Sequence, residues 1–320
     1  MRLTICAFSL AILIAGCAQQ DEPGAAAQHK VGVTFTNLRF PVFEFMNNAI
    51  RERAAEEGVE VISLSANGDS SVQLTGVENM ITNRCDAVII NAVNEDTIVP
   101  AVRKCNEAGI PVVLLDRQSN GGDVAAYVSA NSYDVGILQA EYVAEQLGGE
   151  GKVVIIQGMK GNSVARDITR GNTDIFSKHP GIEIVANQPQ GWDRARAMTF
   201  MENVLQREGD IDAVLANNDT MIMGACQALK NAGMLDRVIT VGSDADKDAL
   251  LAVGRGQLTA TVDKMPTVMA LTSYELAMKI VRGEQIETEM VDGFPTVFTP
   301  SRLITGENLG EVTRWGELEE

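Results

Sequence analysis

The chain is poor in the residues that most often carry chemistry. It has two histidines, His29 and His179, one in a polar stretch and one before a proline, and five cysteines that share no metal-ligand spacing with them. A zinc centre and a histidine general base are therefore not expected. No Gly-x-Ser-x-Gly elbow, phosphate loop or zinc motif is present, and no cofactor is expected. Positive charge is scarce as well: 26 lysines and arginines against 43 aspartates and glutamates leave a net charge of −17. Such a chain lacks the basic face that nucleic acid demands, and none is expected as a partner. Aromatic residues are only 5% of the whole, so each ring near polar residues is worth placing.

What the chain does have is alternation. From Lys30 onward short β-branched runs such as Val31-Gly32-Val33-Thr34-Phe35 are separated by stretches with apolar residues at helical spacing. This βαβα order calls for parallel sheet covered by helices on both faces, with right-handed crossovers. After residue 130 the pattern restarts. Asp86-Ala87-Val88-Ile89-Ile90-Asn91 is echoed by Asp212-Ala213-Val214-Leu215-Ala216-Asn217, and each is followed by a helix, an Ala-Gly pair and a strand ending in aspartate. The fold class read from this is α/β, two similar doubly wound parallel-sheet lobes. At 320 residues and 45% hydrophobic, the chain can bury a core in each.

The first residues read as an address. Met1-Arg2 precedes a short apolar run over residues 3–14, too short to span a bilayer, and Ile14-Ala15-Gly16-Cys17 closes it. This resembles a bacterial lipoprotein signal, which implies cleavage before Cys17, lipidation of its sulfur and an extracytoplasmic, membrane-anchored protein. Residues 18–29 read as a tether. Of the other cysteines, Cys85 precedes a strand and Cys105 ends the following helix, at the same sheet edge. Either a disulfide or two buried thiols fits that placement, and Cys226 reads as core.

Ligands of open α/β sheets bind outside the carboxyl ends of the strands. Here those ends are polar: Asn91, Asp116-Arg117, Gln157, Asn217-Asn218-Asp219 and Ser243-Asp244. Asp and Asn offer two-point bonding to adjacent hydroxyls, and Arg adds a fork of donors. Phe40-Pro41-Val42-Phe43 and Trp192-Asp193-Arg194 place aromatic rings beside such groups, as needed to stack on the C–H face of a sugar.

Taken together, Leu115-Asp116-Arg117-Gln118, Gln157-Gly158 with Ser163-Val164-Ala165-Arg166, Gln188-Pro189 before Trp192-Asp193-Arg194, Asn217-Asn218-Asp219 and Val241-Gly242-Ser243-Asp244 resemble the ribose-binding type of periplasmic sugar-binding proteins, in their order. The resemblance implies a type I periplasmic binding protein fold with a three-crossover hinge. It implies an N-terminal lobe over residues 30–130 plus 263–293, a C-terminal lobe over 131–262 plus 294–311, and an acidic tail over 312–320. It implies sugar contacts at Phe43, Asn91, Asp116, Arg117, Arg166, Trp192, Asn218 and Asp244. Trp192 stands where that type has phenylalanine, Phe40 where it has asparagine, Val42 where it has an aromatic, and Lys264 where it has glutamine. Phe40 and Lys264 thus join the candidate site, Lys264 either pairing with a site carboxylate such as Asp263 or meeting an acidic ligand.

The implied function is capture of a monosaccharide or cyclic polyol by a monomeric, non-enzymatic lipoprotein. It would close on the ligand at its hinge and deliver it to an ABC permease. A sensor presenting sugar to a chemoreceptor or histidine kinase is the alternative; a carbohydrate-active enzyme would use the same carboxylates differently. A repressor sharing the fold would need a DNA-binding head, and the chain begins with a secretion signal instead.

Overall fold

The computed structural model describes residues 29–312; Cys17, the tether before His29 and the tail after Val312, with Trp315, lie outside them. The first lobe runs β1 (Lys30–Phe35), α1 (Pro41–Glu56), β2 (Glu60–Ser65), α2 (Ser70–Thr82), β3 (Ala87–Ile90), α3 (Val99–Glu107), β4 (Val112–Leu115) and β5 (Ala126–Ala130). The second runs α4 (Ser132–Gln146), β6 (Glu150–Gln157), α5 (Ser163–Phe176), β7 (Gly181–Pro189), α6 (Arg194–Glu208), β8 (Ala213–Ala216), α7 (Asp219–Asn231), β9 (Ile239–Ser243), α8 (Lys247–Gly254) and β10 (Ala260–Asp263). The chain then returns through α9 (Pro266–Val281), β11 (Glu289–Val291) and β12 (Phe294–Thr299) before ending on β13 (Arg302–Ile304).

The sheet orders are β11-β12-β5-β4-β3-β1-β2 and β13-β10-β9-β8-β6-β7. Matching β1 to β6, β2 to β7, β3 to β8, β4 to β9 and β5 to β10 superposes the two orders, as the repeated sequence segments require. The match extends to single bonds. Asp86 Oδ2 accepts from Lys30 N at 2.8 Å, and Asp212 Oδ2 accepts from Lys152 N at 2.7 Å. At the other end of the same strands, Asn91 Oδ1 accepts from Thr36 N at 3.1 Å and Asn217 Oδ1 from Gly158 N at 2.8 Å.

Strands β3, β4 and β8 are buried along their whole length, so they are apolar throughout rather than alternating. Helices α1 and α9 pack together over one sheet, and α4 against α5 and α6 against α7 flank the other. The α4–α5 crossing is close because it is lined by glycine. A Cβ on Gly136 would lie 2.1 Å from Ile168 O, and one on Gly171 2.3 Å from Tyr133 O. No helix of the described residues is long and apolar enough to cross a membrane.

The chain passes between sheets three times, after Ala130, around Lys264 and at Pro300-Ser301. The last differs from expectation. The sequence places residues 294–299 in the C-terminal lobe, but β12 pairs in parallel with β5, Thr296 opposite Tyr127 and Thr299 opposite Ala130, in the N-terminal sheet. The reason is the Asp292-Gly293 pair, whose φ values of 50° and 86° make the tight turn of a β11–β12 hairpin. That dipeptide keeps the chain in the same sheet instead of releasing it to the other lobe. The cysteines are also decided: Cys85 and Cys105 are buried free thiols, not a disulfide. Both are absorbed in the apolar cluster with Met80, Val102 and Val112. Burial pushes the Cys85 thiol up to about 11 and that of Cys105 to about 12.

Candidate functional site

The carboxyl ends of both sheets open on one small cavity between the lobes, about 20 Å³ in volume. The N-terminal lobe lines it with Phe40, Val42, Phe43, Asp116 and Arg117; the C-terminal lobe contributes Val164, Trp192, Asn217, Asn218 and Asp244; Lys264 enters from the second crossover. The lobes meet at its rim, where Asn94 Nδ2 donates to Gly161 O at 2.8 Å and Gln118 N to Ser163 Oγ at 3.1 Å. The cleft is closed.

Asp116 follows β4 with φ 67° and Asp244 follows β9 with φ 114°; Trp192 has φ 66° and Met265, next to Lys264, φ 48°. Left-handed backbone at residues other than glycine is uncommon and concentrates at functional sites. In this chain three such residues, Asp116, Trp192 and Asp244, line one cavity.

Arg117 is 4% exposed and held from several sides. Its Nη1 donates to Thr36 Oγ1 at 2.8 Å and Ala92 O at 3.1 Å. Its guanidinium carbon lies 5.3 Å from the Phe43 ring centre and 5.7 Å from that of Trp192, so the cation joins an aromatic of each lobe. Burial lowers its pKa from the ordinary arginine value, against the pull of Asp116 and Asp244. Phe40 meets Phe43 edge to face at 6.1 Å between ring centres.

Lys264 Nζ lies 2.8 Å from Asp244 Oδ1 and 3.8 Å from Asp116 Oδ1, with all three side chains no more than 6% exposed. Burial alone would drive the ammonium toward neutrality. The two carboxylates outweigh it and hold the lysine above its ordinary range. Both aspartates thus sit beside a cation. Among the described residues no cluster of three or more His, Cys, Asp or Glu side chains could hold a metal.

Two of the expected contacts stand elsewhere. Asn91 is fully buried behind the cavity, bonded to Thr36 N, Leu115 O and, at 3.4 Å, Asp116 Oδ2. It positions the strand end. Arg166 has a side chain 51% exposed at the rim, where it bonds Glu95 at 3.2 Å, Gln118 at 3.2 Å and Asp167 at 3.1 Å. Its α5 neighbour Val164 faces the cavity instead. Asn217 lines the cavity although the site expectation named Asn218 alone; the repeat signal that pairs Asn217 with Asn91 already marked it. Asn218 caps α7, accepting from Met221 N at 3.0 Å.

Buried polar atoms normally have hydrogen-bond partners. Asp116 Oδ1, Arg117 Nε, Asn217 Nδ2 and Trp192 Nε1 are buried on lining residues and make no hydrogen bond among the described residues. One acceptor and three donors between aromatic walls suit a small molecule rich in hydroxyls.

Comparison with known proteins agrees with this geometry. The chain is 32% identical to the ribose import binding protein RbsB of Bacillus subtilis over 288 residues, 90% of this chain and 91% of that protein. It is 33% identical over 272 residues to the D-allose-binding periplasmic protein of Escherichia coli, covering 82% and 87%. A solved ABC transporter solute-binding protein from Bacillus halodurans with bound myo-inositol superposes with a TM-score of 0.84 at 36% identity, covering 91% of this chain and 99% of that one. Residues 31–285 match the family described as the periplasmic binding protein domain. Two parallel-sheet lobes closed on a cavity at their strand ends, with relatives that bind solutes rather than transform them, make this chain a member of the periplasmic binding protein family, a solute-binding protein and not an enzyme.

Proposed function

We propose that the protein captures one neutral monosaccharide or cyclic polyol between its lobes, outside the cytoplasm, and delivers it in the closed form to an ABC permease, tethered through lipid on Cys17. The observation that carries this is the meeting of Asp116 and Asp244, one from each lobe, in a single aromatic-walled cavity. A ligand bonded to both lobes favours the closed form, because opening breaks one set of bonds. Relatives named for ribose and allose, and a neighbour holding myo-inositol, support the ligand class.

A thermal-shift screen with D-ribose, D-allose, myo-inositol and xylitol tests the ligand, since a molecule that binds the native state raises the melting temperature by mass action. At least one is expected to shift it; a folded protein that responds to none of them at millimolar concentration argues against the assignment. Small-angle scattering then tests closure, the radius of gyration being expected to fall at saturation. Membrane partitioning of the wild type and of Cys17→Ser tests the anchor.

A further inference from the structure

Four ionised side chains line the cavity, two of each sign: Asp116, Asp244, Arg117 and Lys264, each no more than 5% exposed as a residue. The lining therefore sums to zero charge. In a space walled off from water, an uncompensated charge is expensive, so the sum decides what can enter.

The cations are already engaged. Arg117 bonds Thr36 and Ala92 through Nη1 and lies against two aromatic faces, which leaves Nε as its donor toward the cavity. Lys264 sits against Asp244 and faces Asp116. Its place is set by backbone: Met265 takes φ 48°, its N–H donates to Asp263 Oδ1 at 2.9 Å, and Pro266 starts α9. We propose that Lys264 determines the charge class of the ligand: by compensating the two aspartates it admits uncharged hydroxyl compounds and excludes both sugar acids and protonated amino sugars.

This inference rests on the sugar-site reading above. A ligand carboxylate would bring an uncompensated negative charge into a lining that already sums to zero. A ligand ammonium would have to compete with Lys264 for the same oxygens. A hydroxyl has what it needs, because Asp116 Oδ1 accepts no hydrogen bond among the described residues.

The test uses the full chain with four variants, Lys264→Gln, Lys264→Arg, Lys264→Gln combined with Asp244→Asn, and Asp244→Asn alone. The probes are D-ribose, D-allose and myo-inositol as neutral ligands, glucosamine as the cation and glucuronate as the anion, read by thermal shift and titration calorimetry. The wild type and K264R are expected to bind at least one neutral probe and neither charged one. K264Q leaves one negative charge in excess; its affinity for the neutral probe should fall by about tenfold or more, and glucosamine binding should appear. The double variant restores zero charge and should lose the glucosamine response. If K264Q is too unstable to study, D244N alone carries the test: with one excess positive charge it should favour glucuronate over glucosamine. Binding of glucuronate by the wild type would overturn the proposal while leaving a sugar site, as would a K264Q profile identical to that of the wild type. A folded wild type that binds no probe of any charge overturns the sugar reading and the proposal with it.

Discussion

Asp116 and Asp244 occupy the same position in the two lobes: each follows the matched strand, β4 or β9, in left-handed backbone, and each N–H donates across to the next strand, to Val128 O at 2.7 Å and Val262 O at 2.9 Å. The bend turns both carboxylates toward Lys264. Since an ionised hydrogen bond contributes about 1.5–3 kcal/mol, Asp116→Asn and Asp244→Asn are each expected to weaken ligand binding by roughly ten- to a hundredfold. Calorimetric titration checks the equivalence; a loss confined to one of the two would show that the lobes do not share the ligand.

Gly158 leaves no space beyond its own hydrogen. A Cβ there would come within 2.2 Å of two carbons of the Trp192 ring. Gly158→Ala is expected to destabilise the fold by about 1–3 kcal/mol through overpacking, with the ring displaced from the cavity and affinity lost. Combining it with Trp192→Phe removes the larger ring and should recover most of the stability in denaturant unfolding.

Arg166 joins the two lobes at the rim. It reaches from the C-terminal lobe to Glu95 and Gln118 of the other lobe at the exposed rim. An exposed pair of this kind contributes at most about 1 kcal/mol, and less in high salt. Arg166→Ala should therefore weaken all ligands by one common, few-fold factor, because it changes the population of the closed form alone. A changed ranking among ligands would instead mark direct contact.

Asp219 opens α7 fully buried, accepting from Asp246 N at 2.9 Å and Thr261 Oγ1 at 2.8 Å. Burial first, then Asp246 and Asp244, raise its pKa well above 3.8. A raised folded pKa means that the native state holds the proton more tightly than the unfolded chain. The stability this contributes is complete below pH 3.8 and fades as pH rises through the folded value. Asp219→Asn mimics the protonated acid. The stability of the wild type relative to this variant should fall on raising pH from about 4 to 8, as measured by urea unfolding.

The three thiols of the described residues are buried, and Cys226, like Cys105, is pushed up to about 12 by its surroundings. Thiolate is the reactive form. Cys85, Cys105 and Cys226 should resist alkylation in the native protein and react together on denaturation, as peptide mapping will show. Recovery of a linked Cys85–Cys105 peptide from a non-reducing digest would contradict the thiol state.

The alternation, the two-lobed duplication and the polar strand ends were legible because they are local: a run of four apolar residues closed by aspartate means the same thing wherever it lies. Residues 294–299 belong to the other lobe from the one expected, because a hairpin turn and a lobe crossing both begin with a short polar loop and pairing with β5 is visible only when the sheet is assembled, whereas β13 pairs with β10 in the C-terminal sheet as expected. Arg166 and Asn91 match the pattern in backbone position, yet neither side chain lines the cavity. A long flexible side chain on α5 is free to find Glu95 at the rim, and an asparagine one layer down is used up by backbone groups, so position did not determine direction.

The sequence by itself determined the architecture and the location of the site, since strand propensity, helix periodicity and the duplicated segments act over a few residues at a time. The tertiary structure alone decided the electrostatics of the cleft. Lys264 comes to rest between Asp116 and Asp244 because three segments far apart in the chain converge where the lobes meet, and the balance of their charges exists only once water has been excluded from between them.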